Sequence, residues 1–356
     1  MDWRNLPVQM QRRFALPLRR RLMPAALAQR RRADAPFAPV RPGAGLGKEK
    51  ERMIAVKLAT TTADFYAYSR SLEEILRYIR DSGFRCVDFS FSEAAVPAGL
   101  LGEDWLRCAK DIRGYAGELG LAFVQSHAPM GSPLLKDERY DRFLFLTKRA
   151  IQVAAALGAG TIVVHSGYAK GISKEECFER NRLFYRELLP LAEECGICLL
   201  TENFNKMCVP DMYWVDSAQD ERELIDYVDH PLLQGCWDTG HGNMQATSQR
   251  EAVNLLGSRL RALHVQDNLG NEDHHFAPFF GTMDIDSLMQ GLLDIQYGGY
   301  FTFESTNMAL PAGRRREDSA NGRLRQLPVA LKCKAESLLY DIGSHILTSY
   351  GLNEQA

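Results

Sequence analysis

The stretch GCWDTGHGNM, residues 235–244, runs an apolar Cys236–Trp237 pair into Asp238 and sets His241 three residues later, across a Thr-Gly turn. It reads as the end of a buried strand opening into a polar loop with two potential ligands. Seven other short apolar runs have the same form: MIAVKLAT (53–60), CVDFSF (86–91), LAFVQSH (121–127), TIVVHS (161–166), ICLLTEN (197–203), ALHVQD (262–267) and YFTFES (300–305). Amphipathic segments separate them. Ser71 with Glu74, Ser173 with Glu176 and Ser248 with Glu251 have the spacing of helix-starting capping boxes, and Gly83, Gly120, Gly158 and Gly196 stand where helices stop. Eight strands alternating with helices predict an α/β protein, a (β/α)8 TIM barrel over 53–356, in preference to an open doubly wound sheet. Residues 309–328 read as a loop after the eighth strand, leading into a last helix.

The chain has 356 residues, 46% of them hydrophobic, enough for one large barrel. It has no apolar run of membrane-spanning length and no secretory signal pattern at its start, so a cytoplasmic protein with no membrane partner is expected. The eight cysteines are scattered, and Cys195–Cys198 reads as structural because no second pair accompanies it. Charge is uneven. Residues 1–52 hold thirteen Lys and Arg against four Asp and Glu, leaving a balance of about −11 from Met53 onward. The basic segment is expected to be a disordered extension, and Met53 the true start; a native intact mass beginning earlier would overturn this. An acidic barrel disfavours a nucleic-acid partner, since duplex binding draws on Lys and Arg at phosphates.

The functional face of such a barrel lies at the C-terminal ends of its strands. There the sequence places His127, His165, Glu202, Asp238 and Glu304, with His264 inside the seventh strand and Asp273 and His275 in the NEDHHFAPFFG loop (271–281) that follows. Six of the eight histidines fall on this rim. Any one of them alone reads as an ordinary hydrogen-bonded group. Three carboxylates around one mouth, with no Lys or Arg at a neighbouring strand end, would cost several kcal/mol each if unpaired, and a divalent cation removes that cost. Carboxylates mixed with imidazoles suit Mn, Zn, Co or Fe(II) better than an all-oxygen Ca site. Phe65, Tyr66, Tyr68, Trp105, Phe279 and Phe280 are candidate apolar walls, with packing in loops the equal alternative.

From Met53 onward the chain resembles the sugar phosphate isomerase/epimerase superfamily, the xylose isomerase-like TIM barrels that include endonuclease IV. The Glu…Asp-x-x-His…His…Glu pattern matches Glu202, Asp238 with His241, His264 and Glu304, and the Asp-x-His of the later loop matches Asp273 and His275. The resemblance implies a divalent metal (Mn, Zn, Co or Mg) on Glu202, Asp238, His264 and Glu304. His127, His165, His241, Asp273 and His275 are implied as further metal or substrate ligands, since the nine ligand types of endonuclease IV, which hold three zinc ions, all occur in order. Two departures stand out: Gly270 replaces an Arg that ketose 3-epimerases carry, and PFFG (278–281) replaces a Pro-Gly-x-Gly turn.

The expected function is a metal-dependent isomerase or epimerase acting on a sugar, sugar phosphate or related polyol through an enediolate, with Glu202 and Glu304 as the acid/base pair. Asn203 and Asp267 are expected to orient ligands from behind. An endonuclease IV-like phosphodiesterase, a cyclitol or sugar-acid dehydratase and a ligand-sensing barrel without catalysis are the alternatives, and a homo-oligomer is open.

Overall fold

The computed structural model describes residues 55–205, 212–245, 247–308 and 327–352. The basic segment 1–52 and the Arg cluster at 314–316 lie outside them. Eight parallel strands form the barrel: β1 (Lys57–Thr61), β2 (Cys86–Ser90), β3 (Ala122–His127), β4 (Thr161–Val163), β5 (Cys198–Glu202), β6 (Leu233–Asp238), β7 (Leu260–His264) and β8 (Tyr300–Phe303). They follow one another in space, β8 pairs with β1, and a parallel bridge between Val265 and Phe303 links β7 to β8. The barrel is therefore the one expected. The strand ends shift by a few residues from the runs, and three of these shifts move a site residue: β4 ends at Val163, leaving His165 two residues beyond it, β8 ends at Phe303, just before Glu304, and His264 closes β7 instead of lying within it.

Alternation along the strands explains why the ligands gather. Val163, Leu200, Cys236 and Ala262 make an apolar cluster from four neighbouring strands, inside the barrel. Strand side chains repeat every second residue, so His165, Glu202, Asp238 and His264 form the next layer above it. Trp237 points the other way and donates from Nε1 to Gln249 in the helix Gln249–Leu256.

Helix starts follow the sequence signals. Ser71, Ser173 and Ser248 each accept a backbone N–H from the residue three positions on, and Ser248 with Glu251 completes a reciprocal capping box. Gly158 and Gly196 end their helices with left-handed backbone. The last helix, Val329–Ser349, is tied to β1 by a buried polar cluster: Lys332 Nζ lies 3.0 Å from Glu336 Oε2 and 3.4 Å from Asp64 Oδ2, and Thr60 Oγ1 donates to Glu336 at 2.5 Å.

Glu221, in the helix Ala218–Val228, is fully buried against the outside of the barrel. It fits because position 235 is glycine: a Cβ there would come within 2.6 Å of Glu221 Oε1. Burial, reinforced by the charge of Glu202 and opposed by the Cys236 backbone, pushes this carboxyl well above the usual range. The folded protein keeps the proton where the unfolded chain has lost it, so this group's contribution to stability falls as pH rises above the ordinary glutamate value. Glu221→Gln is expected to be about 1–3 kcal/mol more stable than the parent at neutral and alkaline pH, with no advantage near pH 4. Urea unfolding at the two pH values checks this; an equal gain at both would refute it.

Candidate metal centre

Five overlapping side-chain groups meet among the described residues, and three of them cover all nine expected ligands. His127, His165 and Glu202 form one, Glu202, Asp238, His264 and Glu304 the second, and His241, Asp273 and His275 the third; within each, the potential ligand atoms lie within 4.8 Å of one another. Glu202 joins the first two. Its Oε2 is 2.7 Å from His165 Nε2 and 3.7 Å from His127 Nε2, while its Oε1 is 2.7 Å from His264 Nδ1. Glu304 Oε2 lies 3.7 Å from the same His264 nitrogen, so the two glutamates share one imidazole. Ladder register sets Asp238 directly opposite His264. All nine sequence-predicted ligand residues are thus brought together, whereas His274, also counted on the rim, turns to Glu272 and Phe276.

Backbone carbonyls orient the rings. His127 Nδ1 lies 2.7 Å from Ala128 O, His241 Nδ1 is 2.9 Å from Asn203 O, and His275 Nδ1 is 2.8 Å from Glu304 O. With those protons on Nδ1, each ring presents Nε2 to the site, and His241 and His275 face Asp273 Oδ2 at 3.3 and 3.1 Å.

Behind them stand residues of two kinds. Asn203 accepts from Asp238 N at 2.7 Å and donates to Asp238 O at 3.0 Å, so it holds the end of β6 instead of a ligand side chain. Asp267 accepts from the backbones of Asn268, Gly281 and Met283, pinning the loop that carries Asp273 and His275. Gln266, absent from the sequence reading, donates to Asp238 Oδ1 at 3.2 Å and to Asp273 Oδ1 at 2.7 Å, bridging two groups of ligands. Gly240 makes room for it: a Cβ there would lie 2.1 Å from the Gln266 amide.

Two of the expected aromatic walls, Phe65 and Trp105, pack elsewhere. Phe65 is fully buried against Tyr78, and Trp105 packs under Arg149 between helices. Phe279 and Phe280 are 60% and 55% exposed, and Phe279 takes a φ of +74° where the related turn has glycine. Phe204 stands beside the ligands, backed by Trp214 and then Tyr168. Phe204 stacks on Trp214 at 3.8 Å, Trp214 lies 4.0 Å from Tyr168, and Phe204 is 5.3 Å from His165 and 5.0 Å from His241.

The donor set fits a divalent cation. Asp238 is fully buried, and its Oδ2 has no hydrogen-bond partner among the described residues. Burial pushes its carboxyl up to about 7, with Glu202, Glu304 and Asp273 adding to the effect against His241. Burial works against charge on His241 too, but Asp238 and Asp273 outweigh it and hold the imidazole well above its ordinary value. Glu202 stays well below the carboxylate range despite burial, held there by the charge of His264 and by hydrogen bonds from three imidazoles. Among the described residues only imidazoles form ion pairs with Glu202, Asp238, Asp273 and Glu304. Clustered carboxylates short of positive charge form a setting for a cation.

Comparison with known proteins finds sugar epimerases among relatives in sequence and in fold. Fructoselysine 3-epimerase of Shigella flexneri is 29% identical over 196 residues, 54% of this chain and 70% of its own length. D-psicose 3-epimerase of Ruminiclostridium cellulolyticum is 26% identical over 203 residues, 54% of this chain and 67% of its own. A crystal structure of D-psicose 3-epimerase in the presence of D-fructose shares the fold with a TM-score of 0.63 at 16% identity, covering 82% of this chain and 99% of that one. The apo 3-keto-D-glucoside 4-epimerase from E. coli does so with a TM-score of 0.59 at 19% identity, over 80% and 99% of the two chains. Among the described residues no helix is long and apolar enough to cross a membrane. The xylose isomerase-like TIM barrel pattern matches residues 76–327, and with its eight-stranded barrel the chain belongs to that family, within the sugar phosphate isomerase/epimerase superfamily.

Proposed function

We propose that this protein is a divalent-metal-dependent isomerase or epimerase of a sugar or related polyol. The observation that carries the reading is the pairing of Glu202 and Glu304 about His264, beside the buried, partnerless Asp238 Oδ2. A cation held by Glu202, Asp238, His264 and Glu304 would supply Lewis-acid stabilisation of the negative charge that develops on substrate oxygens. Glu202 and Glu304 supply the acid/base pair: one removes the proton next to the carbonyl and the other returns one, giving epimerisation or aldose–ketose isomerisation according to the carbon that receives it. His165 and His241 offer Nε2 to substrate hydroxyls. Phe204 and Trp214 give the apolar face against which a sugar ring or chain can lie. The epimerase names of the relatives support a sugar as substrate.

A second reading draws on the third ligand group. His241, Asp273 and His275, together with His127 and His165, would extend the site to two or three ions and suit phosphodiester hydrolysis of the endonuclease IV type. The two readings part at His241. In a one-ion isomerase, His241→Asn is expected to raise KM about tenfold and leave the metal content unchanged; in a multi-ion site it lowers the bound-metal count. Metal analysis of parent and variant checks this, alongside proton NMR of ketoses in D2O. The proposal expects one ion per chain, solvent deuterium entering at the isomerised carbon, and reversible loss of turnover on chelation. Full activity in chelated, metal-free protein would refute it, and cleavage of abasic duplex with three zinc ions bound would favour the hydrolase.

A further inference from the structure

We propose that Asp88, an acid inside the second barrel strand, is a positioning residue that holds His264 in place for the cation; this rests on the metal-dependent reading above. Asp88 is 1% exposed, and its Oδ2 lies 3.4 Å from His264 Nε2. The β2–β3 register shifts between Val87 and Asp88, an irregularity of the kind that re-aims a side chain. No Lys or Arg among the described residues pairs with this carboxylate, and Oδ1 is buried with no partner. A buried carboxylate in that position costs several kcal/mol unless a neighbouring group pairs with it.

His264 gives the reason for its presence. Its Nδ1 faces the ligand oxygens of Glu202 and Glu304, at 2.7 and 3.7 Å, and its Nε2 faces the opposite way, into the barrel. A neutral imidazole that ligates through Nδ1 carries its proton on Nε2, and that proton needs an acceptor. Gln125 also lies close, at 2.9 Å, but it turns Nε2 toward the ring, while its Oε1 accepts from Thr302 at 3.3 Å. A proton on His264 Nε2 cannot face the Gln125 NH2 at 2.9 Å. In this tautomer the amide therefore turns its Oε1 to the ring and the Thr302 hydroxyl accepts from its NH2, while the charged acceptor on the same nitrogen is Asp88. It fixes which nitrogen is free for the cation and keeps the ring plane aimed at it.

Cobalt(II) titration of the full-length chain, followed by visible absorption, tests the assignment with Asp88→Asn and Asp88→Ala. Asp88→Ala is expected to weaken Co2+ binding about 10–100-fold and to shift the ligand-field band. Asp88→Asn is nearly isosteric and keeps an oxygen acceptor, so it is expected to fall between Asp88→Ala and the parent and remains informative if Asp88→Ala does not fold. If the parent binds Co2+ and the folded variants match it in affinity and spectrum, the positioning role is overturned and the metal reading stands. A parent that binds no Co2+ overturns both.

Discussion

Glu202→Gln is expected to lower turnover by about 10²–10⁴-fold and to weaken cation binding, while the barrel keeps its far-ultraviolet circular dichroism. Glu202 reaches two of the ligand groups, through Oε2 to His165 and Oε1 to His264. Gln keeps the shape but removes the charge and turns one acceptor oxygen into a donor NH2 facing imidazole nitrogens. Glu304→Gln is expected to cost a similar factor in turnover with a smaller loss of affinity, because Glu304 is more exposed and stands 3.7 Å from His264. Steady-state kinetics with metal titration of both variants measures the difference. If Glu202→Gln turned over at the parental rate, the acid/base assignment would fail.

Lys332→Ala is expected to destabilise the fold by about 3–5 kcal/mol, since it leaves a buried anion uncompensated. Lys332 and Glu336 are fully buried, and the same ammonium faces Asp64 and the Phe65 ring. Burial, with the charge of Glu336, keeps the Asp64 carboxyl well above its ordinary range even against Lys332. Replacing both charged partners, as Lys332→Met with Glu336→Leu, is expected to recover most of the loss, because the penalty belongs to the charge left alone. Urea unfolding of the single and double variants measures both effects; a single variant as stable as the parent would show that the last helix does not depend on this pair.

The eight strands were legible because a strand of this fold is a short apolar run between polar loops, and GCWDTG, ICLLTEN and TIVVHS are such runs. The nine candidate ligand residues drew attention for a related reason: a charged or imidazole side chain at the end of an apolar run is out of place unless a site lies there. Asp88 carried that signal too, as an acid inside CVDFSF. It was not read as functional because its partner, His264, is 176 residues away along the chain. Gln125 and Gln266 carry no charge and look like ordinary strand polars.

The aromatic residues show what lies outside sequence reach. Phe65 and Phe204 each follow a strand and look alike in one dimension, yet Phe65 is buried under the last helix and Phe204 stacks on Trp214 beside His165 and His241. Asn203 and Asp267 occupy the places expected of ligand-orienting residues, but they bond to backbone.

By itself, the sequence determined the barrel, the layer of candidate ligands and the kinds of atom they offer, because period-two alternation and strand-end placement are local and repeat eight times around one axis. Only the tertiary structure decided which ligands share an atom's reach, which ring nitrogen faces the site and which aromatic rings wall it. Those depend on distances between strands far apart in the chain, and on backbone carbonyls and a register shift that leave no mark on composition or spacing.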